Sequence, residues 1–322
     1  MNKIKSIKPP ENMPIEKAIT SSGQNEHNYE PEFWEFQYEC YRYLENISEK
    51  DLYKRYESIK ENFVIYSESR RDVIPINCFQ SSWYWYRKEY QTRYELFLRD
   101  PKITIEPPIP VKNPSKMFLT KQPNSCEMLF RYGHTEFMND FIYEGKIRVS
   151  PALSYKDGLK SDPRTDDELN KHKWIPGKHI KIQTKDGKSI PIIGDMKSMV
   201  SAPNYYTISF STEFENYIFN KFGYDSCVVI KNPKVFEERI KNVMDSILPN
   251  WYFFGSPVSY YDPYEDGLLK DAYTATISKD FSYAYQQEYR ILWDPLDKKE
   301  AEDYIHINIG DLRDICEIYY KR

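Results

Sequence analysis

The longest uninterrupted apolar runs in this chain, such as Ile190–Ile193 and Cys227–Ile230, span only a few residues. A bilayer-spanning helix needs about 20 apolar positions, so no membrane span is expected. Ile, Val and Leu are modest in number, and rings must carry much of the packing. The 322 residues include 29 Tyr, 17 Phe and 6 Trp against 11 Gly. Tyr buries a large ring and keeps a polar tip. A chain with a mean hydropathy of −0.75 can therefore still fold. Aromatics at this level exclude broad disorder, and the scarcity of glycine excludes collagen-like repeats. The length suits one large domain or two unequal ones. Coding bias in an AT-rich genome is the plain reading of the excess; a surface that stacks bases or rings is the functional one.

Charge is nearly balanced, with 45 Lys+Arg against 49 Asp+Glu. The two sides of Pro110 each carry a net charge of −2, with no basic tail. The footprint of a dedicated duplex-DNA binder is absent, although a local basic patch is compatible with this balance. The N-terminus is basic but lacks an apolar signal core, so no secretory peptide is expected. The cysteines Cys40, Cys78, Cys126, Cys227 and Cys316 are odd in number and widely spaced. Reduced cytoplasmic thiols fit best, and neither a zinc site nor another metal is expected. No GxGxxG or GxxxxGK[ST] phosphate loop occurs, which argues against Rossmann and P-loop nucleotide sites.

Residues 1–30 read as an extended polar arm. Residues 31–105 read as a helical, aromatic-rich module, with helices expected near 31–44, 48–59 and 81–98. In the last of these, positions 83, 86, 90, 94 and 97 form one stripe. It reads as core packing, with a stacking face for a nucleobase or a partner helix as the alternative. The Pro-rich stretch 106–123 is the expected linker. Residues 124–322 alternate short strands and helices. Strands are expected at 128–131, 147–150, 206–209, 226–230, 258–261, 288–293 and 304–307. Helices are expected at 135–143, 214–222 and 233–247. A hairpin is expected across Lys185-Asp-Gly-Lys188, since Asp-Gly favours a type I′ turn. The charged stretch 157–173 reads as irregular. The fold class is α+β.

Three short elements of this second part can carry chemistry. One is Leu129-Phe-Arg131-Tyr132-Gly133, an arginine ending an apolar strand. Another is Ile208-Ser-Phe210-Ser211-Thr212-Glu213, hydroxyls at a strand end. The third is Phe281-Ser-Tyr283-Ala-Tyr285-Gln286-Gln287-Glu288-Tyr-Arg290. Residues two apart share one face of a strand, so Gln286 and Glu288 are expected to point into one cleft. Each element also has an ordinary reading. Arg131 suits a surface ion pair, Ser211 and Thr212 suit helix caps, and Glu288 with Arg290 suits a cross-strand charge pair.

In this order and spacing, the elements resemble the Arg-Ser-Glu class of mono-ADP-ribosyltransferases over about Met117–Ile318. The resemblance implies split antiparallel β-sheets with flanking helices, here preceded by the helical module. It implies a cleft that holds NAD as co-substrate without a Rossmann motif. Arg131 would contact the dinucleotide phosphates, a role suited to a guanidinium fork. Phe210, Ser211 and Thr212, with Tyr132, would line the NAD site, and Ser211 would support the nicotinamide ribose and the catalytic Glu288. Glu213 stands where the family carries a further Ser. Glu288 would accept a hydrogen bond from the ribose 2′-hydroxyl and stabilise the oxocarbenium-like sugar, an effect of several kcal/mol. Gln286 would orient the acceptor. In that family a glutamine here goes with asparagine or guanine rather than arginine. The loop Ser278–Tyr285 would present Phe281, Tyr283 and Tyr285 to the target.

The text around these motifs, including Ile147-Arg-Val-Ser-Pro-Ala152, Arg164–Glu168 and Phe222-Gly-Tyr-Asp225, also resembles a DUF2971-like group of bacterial proteins. Arg164–Glu168 reads as a solvated loop or as a lid over the donor cleft. The implied activity is transfer of ADP-ribose from NAD to a nucleic-acid base, guanine favoured, or to a protein side chain, in a cytoplasmic toxin or antiphage effector. An antitoxin or chaperone partner fits that role, and a membrane does not. The alternative is a non-enzymatic module that binds a protein or nucleic-acid partner. A nuclease would need a carboxylate metal site, for which only Asp162, Asp166, Asp167 and Glu168 offer themselves.

Overall fold

The computed structural model describes residues 31–68, 83–103, 128–156, 165–265, 271–296 and 299–321, apart from the side chains at 31, 63–68 and 83–86. The arm 1–30, the linker 106–123 and the start of the ring stripe at 83–86 lie outside these residues and side chains.

Three helices come first: α1 (Pro31–Tyr41), α2 (Glu49–Glu68) and α3 (Trp83–Arg99). Tyr38, Leu44, Leu52, Tyr94 and Leu96 form their core, and Tyr90 is also buried. The described part of the stripe is therefore packing. Between Lys88 and Leu96 every residue of α3 is buried, charged ones included. Burial of charge demands partners. Arg93 pairs with Glu89, and Glu95 accepts from Tyr38, Arg42 and Arg99.

The remainder is mixed α+β. Its elements are β1 (Leu129–Gly133), α4 (Thr135–Glu144), β2 (Lys146–Pro151), β3 (Asn170–Pro176), β4 (Ile182–Gln183), β5 (Ser189–Ile190), β6 (Asp195–Ser201), β7 (Tyr206–Ser211), α5 (Asn216–Phe222) and β8 (Ser226–Ile230). There follow α6 (Pro233–Ile247), β9 (Trp251–Pro257), β10 (Ser259–Tyr261), α7 (Ala272–Thr276), β11 (Ser278–Asp280), β12 (Glu288–Pro295), β13 (Ile305–Asn308) and β14 (Cys316–Tyr320). Pro233 opens α6, and the Asn232 side chain caps it by accepting from the Val235 amide. Gly145 ends α4 in the left-handed region at φ 65°, where glycine carries no Cβ penalty.

The central sheet is antiparallel and branches at β7. One edge of β7 pairs with β12, which continues to β9. The other edge is shared. Ser211 pairs with Phe130 of β1, whereas Thr207 and Tyr206 pair with Ser150 and Pro151 of β2. From there one arm runs β1–β8–β14 and the other β2–β13. One face of the sheet packs Ile208, Phe210, Ile291 and Trp293 against Met138, Phe141 and Ile142 of α4 and Phe236, Ile240 and Met244 of α6. Each buried ring or aliphatic side chain of this kind is worth about 1.5–3 kcal/mol. The opposite face carries Ser209, Ser211, Glu288 and Arg290.

The strands β6, β9, β11 and β14 lie where the sequence reading expected none, and two expected stretches take another form. The charged segment before Lys173 is only partly irregular: β3 starts at Asn170 and pairs antiparallel with β6 over its whole length. The hairpin exists, but Ile182 faces Ile190 and Gln183 faces Ser189, so residues 184–188 form a longer loop in place of a two-residue turn. Thr184 and Lys188 close that loop, with Gly187 at φ 83°.

Candidate active site

The branch in the sheet creates the cleft. Between the β1 and β2 contacts, the outer edge of β7 from Ile208 to Phe210 has no strand beside it among the described residues. A backbone carbonyl left there needs a donor. Arg131 supplies it: its guanidinium donates to the Ser209 carbonyl at 2.8 Å. It lies over the Phe210 ring, 5.4 Å from its centroid. Arg131 is half-buried, and no carboxylate pairs with it among the described residues. Removal from water pulls its pKa below the ordinary value. Arg148 and Lys279 also line the cleft, a pocket of about 210 Å³. That volume is below the ~300–1,000 Å³ of drug-sized sites. It suits one end of an extended ligand.

Glu288, the first residue of β12, closes the opposite wall and is 6% exposed. Its Oε1 accepts from Ser209 Oγ and Arg290 Nε, both at 2.7 Å, and its Oε2 from Lys279 Nζ at 3.0 Å. Behind it lies Glu168, which pairs with Lys279 at 3.2 Å and Arg290 at 2.7 Å. Burial alone would raise the pKa of Glu288. Arg290 and Lys279 outweigh it, and the group is held well below the carboxylate range. The same balance lowers Glu168 and raises Lys279. All four groups are therefore ionised near neutral pH, and Glu288 is an acceptor only.

The backbone that delivers Glu288 is strained. Residues 281–286 form a 3₁₀ turn, and Gln287 follows in the left-handed region at φ 44°. Such a non-glycine conformation costs of order 1–3 kcal/mol and persists only where surrounding contacts hold it. Here the Gln287 carbonyl accepts from the Thr212 amide at 2.7 Å and hydroxyl at 3.1 Å, and its side chain donates to the Ala284 carbonyl at 2.7 Å. Gln286 and Glu288 do reach one place, as their spacing suggests, but not as neighbours on one strand face. Lys279 joins them by donating to Gln286 Oε1 and Glu288 Oε2, each at 3.0 Å.

The other expected residues divide. Phe210, Tyr132 and Ser211 line the cleft. The Ser211 hydroxyl is taken by the Glu213 backbone, at 2.9 Å to its carbonyl, so the hydroxyl that holds Glu288 is Ser209, two residues earlier on the same strand face. Thr212 is spent on Gln287. The Tyr132 hydroxyl is bonded to the backbone of Glu213 and Glu215, and its ring packs on Phe214 and Phe219. Phe281, Tyr283 and Tyr285 do not project from a loop. Phe281 and Tyr285 are buried, and the Asn62 side chain of α2 bonds the backbone of both. Tyr283 is half-buried and donates to the Thr165 carbonyl. The helical module needs that surface, so these rings pack inward.

Glu168 is neither solvated loop nor lid: at 4% exposure it is a wall of the cleft. Asp166 is taken by Lys171, and Asp167 by Lys156 and Asn170, and no metal-ready carboxylate cluster forms among the described residues. Asp162 and Arg164 lie outside the described residues. Arg290 serves Glu288 from the same strand rather than across strands. Only Lys279 gave no signal, since nothing in Ser278-Lys-Asp280 distinguishes it from a surface lysine. Among the described residues, Cys40, Cys227 and Cys316 form no disulfide, and no helix is long and apolar enough to cross a membrane. Comparison with protein families, curated proteins and solved structures finds no match for the chain.

Proposed function

We propose that the cleft binds NAD and transfers its ADP-ribose to an acceptor, either a nucleic-acid base, guanine favoured, or a protein side chain. The observation that carries this reading is the acceptor capacity of Glu288. A carboxylate offers about four lone-pair directions; Ser209, Arg290 and Lys279 use three, and one is left at the wall of the cleft. A ribose 2′-hydroxyl is a donor of the right kind for it. The same cleft holds Arg131, a half-buried guanidinium with no carboxylate partner among the described residues, matched to a phosphate.

In the reaction, the C1′–N bond to nicotinamide breaks and its electron pair leaves with nicotinamide. A lone pair on the acceptor forms the new bond to C1′, and the acceptor's proton is lost to water. The fixed carboxylate of Glu288 favours the cationic sugar between these events, and its preorganisation by Arg290, Lys279 and Ser209 needs no rearrangement during the reaction. Lys279 holds the oxygen end of the Gln286 amide. The nitrogen end, which donates to the Tyr285 hydroxyl at 3.4 Å, would have to turn to an acceptor carbonyl such as guanine O6.

Nicotinamide release from NAD, with and without Glu288→Gln, tests the reading. Full turnover by a folded Glu288→Gln variant would sink it. Unfolding with NAD at ~100 times its Kd should show ~2.7 kcal/mol of added stability. Labelled NAD in lysate, followed by nuclease or protease digestion, identifies the acceptor. If the chain is a bacterial toxin or antiphage effector, its expression should arrest growth and the Glu288→Gln variant should not.

A further inference from the structure

A larger cavity, of about 560 Å³, lies where α1 and α3 meet β3. Its walls are rings from separate segments: Phe36 and Tyr41 of α1, Trp174 of β3, and Tyr264. Trp174 and Tyr264 stack at 16° with centroids 6.4 Å apart. Phe36 and Tyr41 are each 63% exposed, a costly position for rings on a helix that could have turned them inward. Arg87, Lys173 and His179 stand beside the rings, with Gln37 next to them; the Gln91 amide is taken by Tyr43 and the Trp34 carbonyl. Lys197 lies over the Trp174 ring, 5.4 Å from its centroid. Among the described residues the lining includes a single carboxylate, Glu265, and that one is paired with both Arg87 and Lys88.

We infer that this cavity binds a nucleotide unit, its base stacked on the ring walls and its phosphate beside Lys173, with Arg87 shared between the phosphate and Glu265. Aromatic platforms beside cations are what single-stranded nucleic acid uses, because every base has a π-face and every unit a negative charge. The volume falls within the ~300–1,000 Å³ of small-ligand sites. The overall charge of −4 does not oppose this, since the acids near the cavity are neutralised locally: Glu45 by Lys178, and Glu265 by Arg87 and Lys88. The cavity also lies near the Glu288 cluster along β3. Lys171 of β3 pairs with Glu168, and Trp174 follows three residues on, about 10 Å at ~3.3 Å per strand residue. As the acceptor's docking site the cavity rests on the transferase reading. As a nucleotide site it stands without it.

The test is fluorescence anisotropy of a labelled single-stranded oligo-dA 12-mer with the full chain and no NAD, competed by unlabelled oligomer or by AMP. Base-stacking rings lost to alanine typically weaken binding about 5- to 150-fold. That loss is expected for Phe36→Ala, whose exposed position leaves folding unaffected, and for Trp174→Ala. Lys173→Ala should lower the dependence of log K on log salt by about 0.7, the share of one phosphate contact. An oligomer that competes far better than AMP marks a strand as the ligand; equal competition marks a free nucleotide, with the same recognition chemistry. No binding, or binding that Phe36→Ala and Trp174→Ala leave at wild-type strength, overturns the inference. So does binding lost in Arg131→Ala but kept in Phe36→Ala, which would place the strand in the other cleft. Glu288→Gln is expected to bind the oligomer normally, so failure of the transferase reading would leave this result intact.

Discussion

Asp262 and Glu288 are both buried carboxylates gripped by one arginine and one lysine, yet they are finished to different degrees. Asp262 receives a bidentate Arg55 at 2.7 and 2.6 Å, the Tyr264 amide at 3.1 Å and Lys88 at 3.5 Å. Against about four lone-pair directions on a carboxylate, it is full. Its cations come from α2 and α3, so it clamps the helical module onto the rest of the chain. Glu288 has one direction left over and sits on a cleft wall opposite Arg131. Both are strongly acidic for the same reason, with burial outweighed by adjacent cations. A depressed pKa therefore does not separate a clamp from a candidate catalytic group; an unused acceptor direction does.

The sharpest way to break that comparison is to neutralise each carboxylate. Glu288→Gln should cut nicotinamide release by about 10²–10³-fold, the usual cost of removing one preorganised stabilising group. It also leaves Lys279 and Arg290 one negative charge short, so the melting temperature should fall as well. Turnover is therefore compared at a temperature where the variant is still folded. Asp262→Asn should do the reverse. Breaking a buried pair costs about 3–5 kcal/mol, read as a lower urea midpoint, while the NAD dependence of the surviving folded fraction stays near wild type. If the two variants behave alike, the distinction between a full and a part-filled carboxylate has no functional content.

Next in size is Arg131→Ala. Arg131 lines the cleft without a carboxylate partner among the described residues, so its removal should raise the NAD concentration needed for half-maximal rate by about 10–100-fold, the scale of 1.5–3 kcal/mol for bonds to a charged group. The maximal rate should change far less, which is the pattern of uniform binding lost.

Acid sharpens the same comparison. Asp262, Glu168 and Glu288 all have folded pKa values below their unfolded ones. Their stabilisation is present in full above the ordinary carboxylate range, near pH 4 to 4.5, and is lost as pH falls toward about 2. The melting temperature should be level from pH 8 to 5 and then drop, and Asp262→Asn should flatten the drop.

What the sequence made legible follows from how local each signal is. Ser226–Ile230 and Pro233–Ile247 match the observed β8 and α6, because β-branched runs and a capped helix with apolar residues four apart are decided within a few residues. Arg131, Gln286 and Glu288 were legible as one site from motif order. Their geometry was not. Gln287 had to be left-handed, which depends on Thr212 from 75 residues away. Lys279 was invisible as a site residue, and Glu168 was legible only as part of a loop, a lid or a metal site, since a charged side chain reads as surface until the fold supplies counter-charges. Phe281 and Tyr285 misled for the converse reason. Rings beside a motif suggest a target-facing loop, but Asn62 and the packing of α2 claim them.

The smallest expected effect lies between two serines on one strand face. Ser209 donates to Glu288 at 2.7 Å, whereas Ser211 closes a turn on Glu213 at 2.9 Å. Ser209→Ala removes a hydrogen bond to a charged group. On the ~1.5–3 kcal/mol scale of such bonds, turnover should fall roughly 10-fold or somewhat more with little change in melting temperature, because Arg290 still holds the same oxygen. Ser211→Ala removes a neutral bond worth about 1 kcal/mol; it should lower stability slightly and leave turnover within a few-fold of wild type. The opposite ranking would mean that Ser211 reorients when NAD binds and that the hydroxyl Glu288 uses at rest is not the one it uses in the reaction.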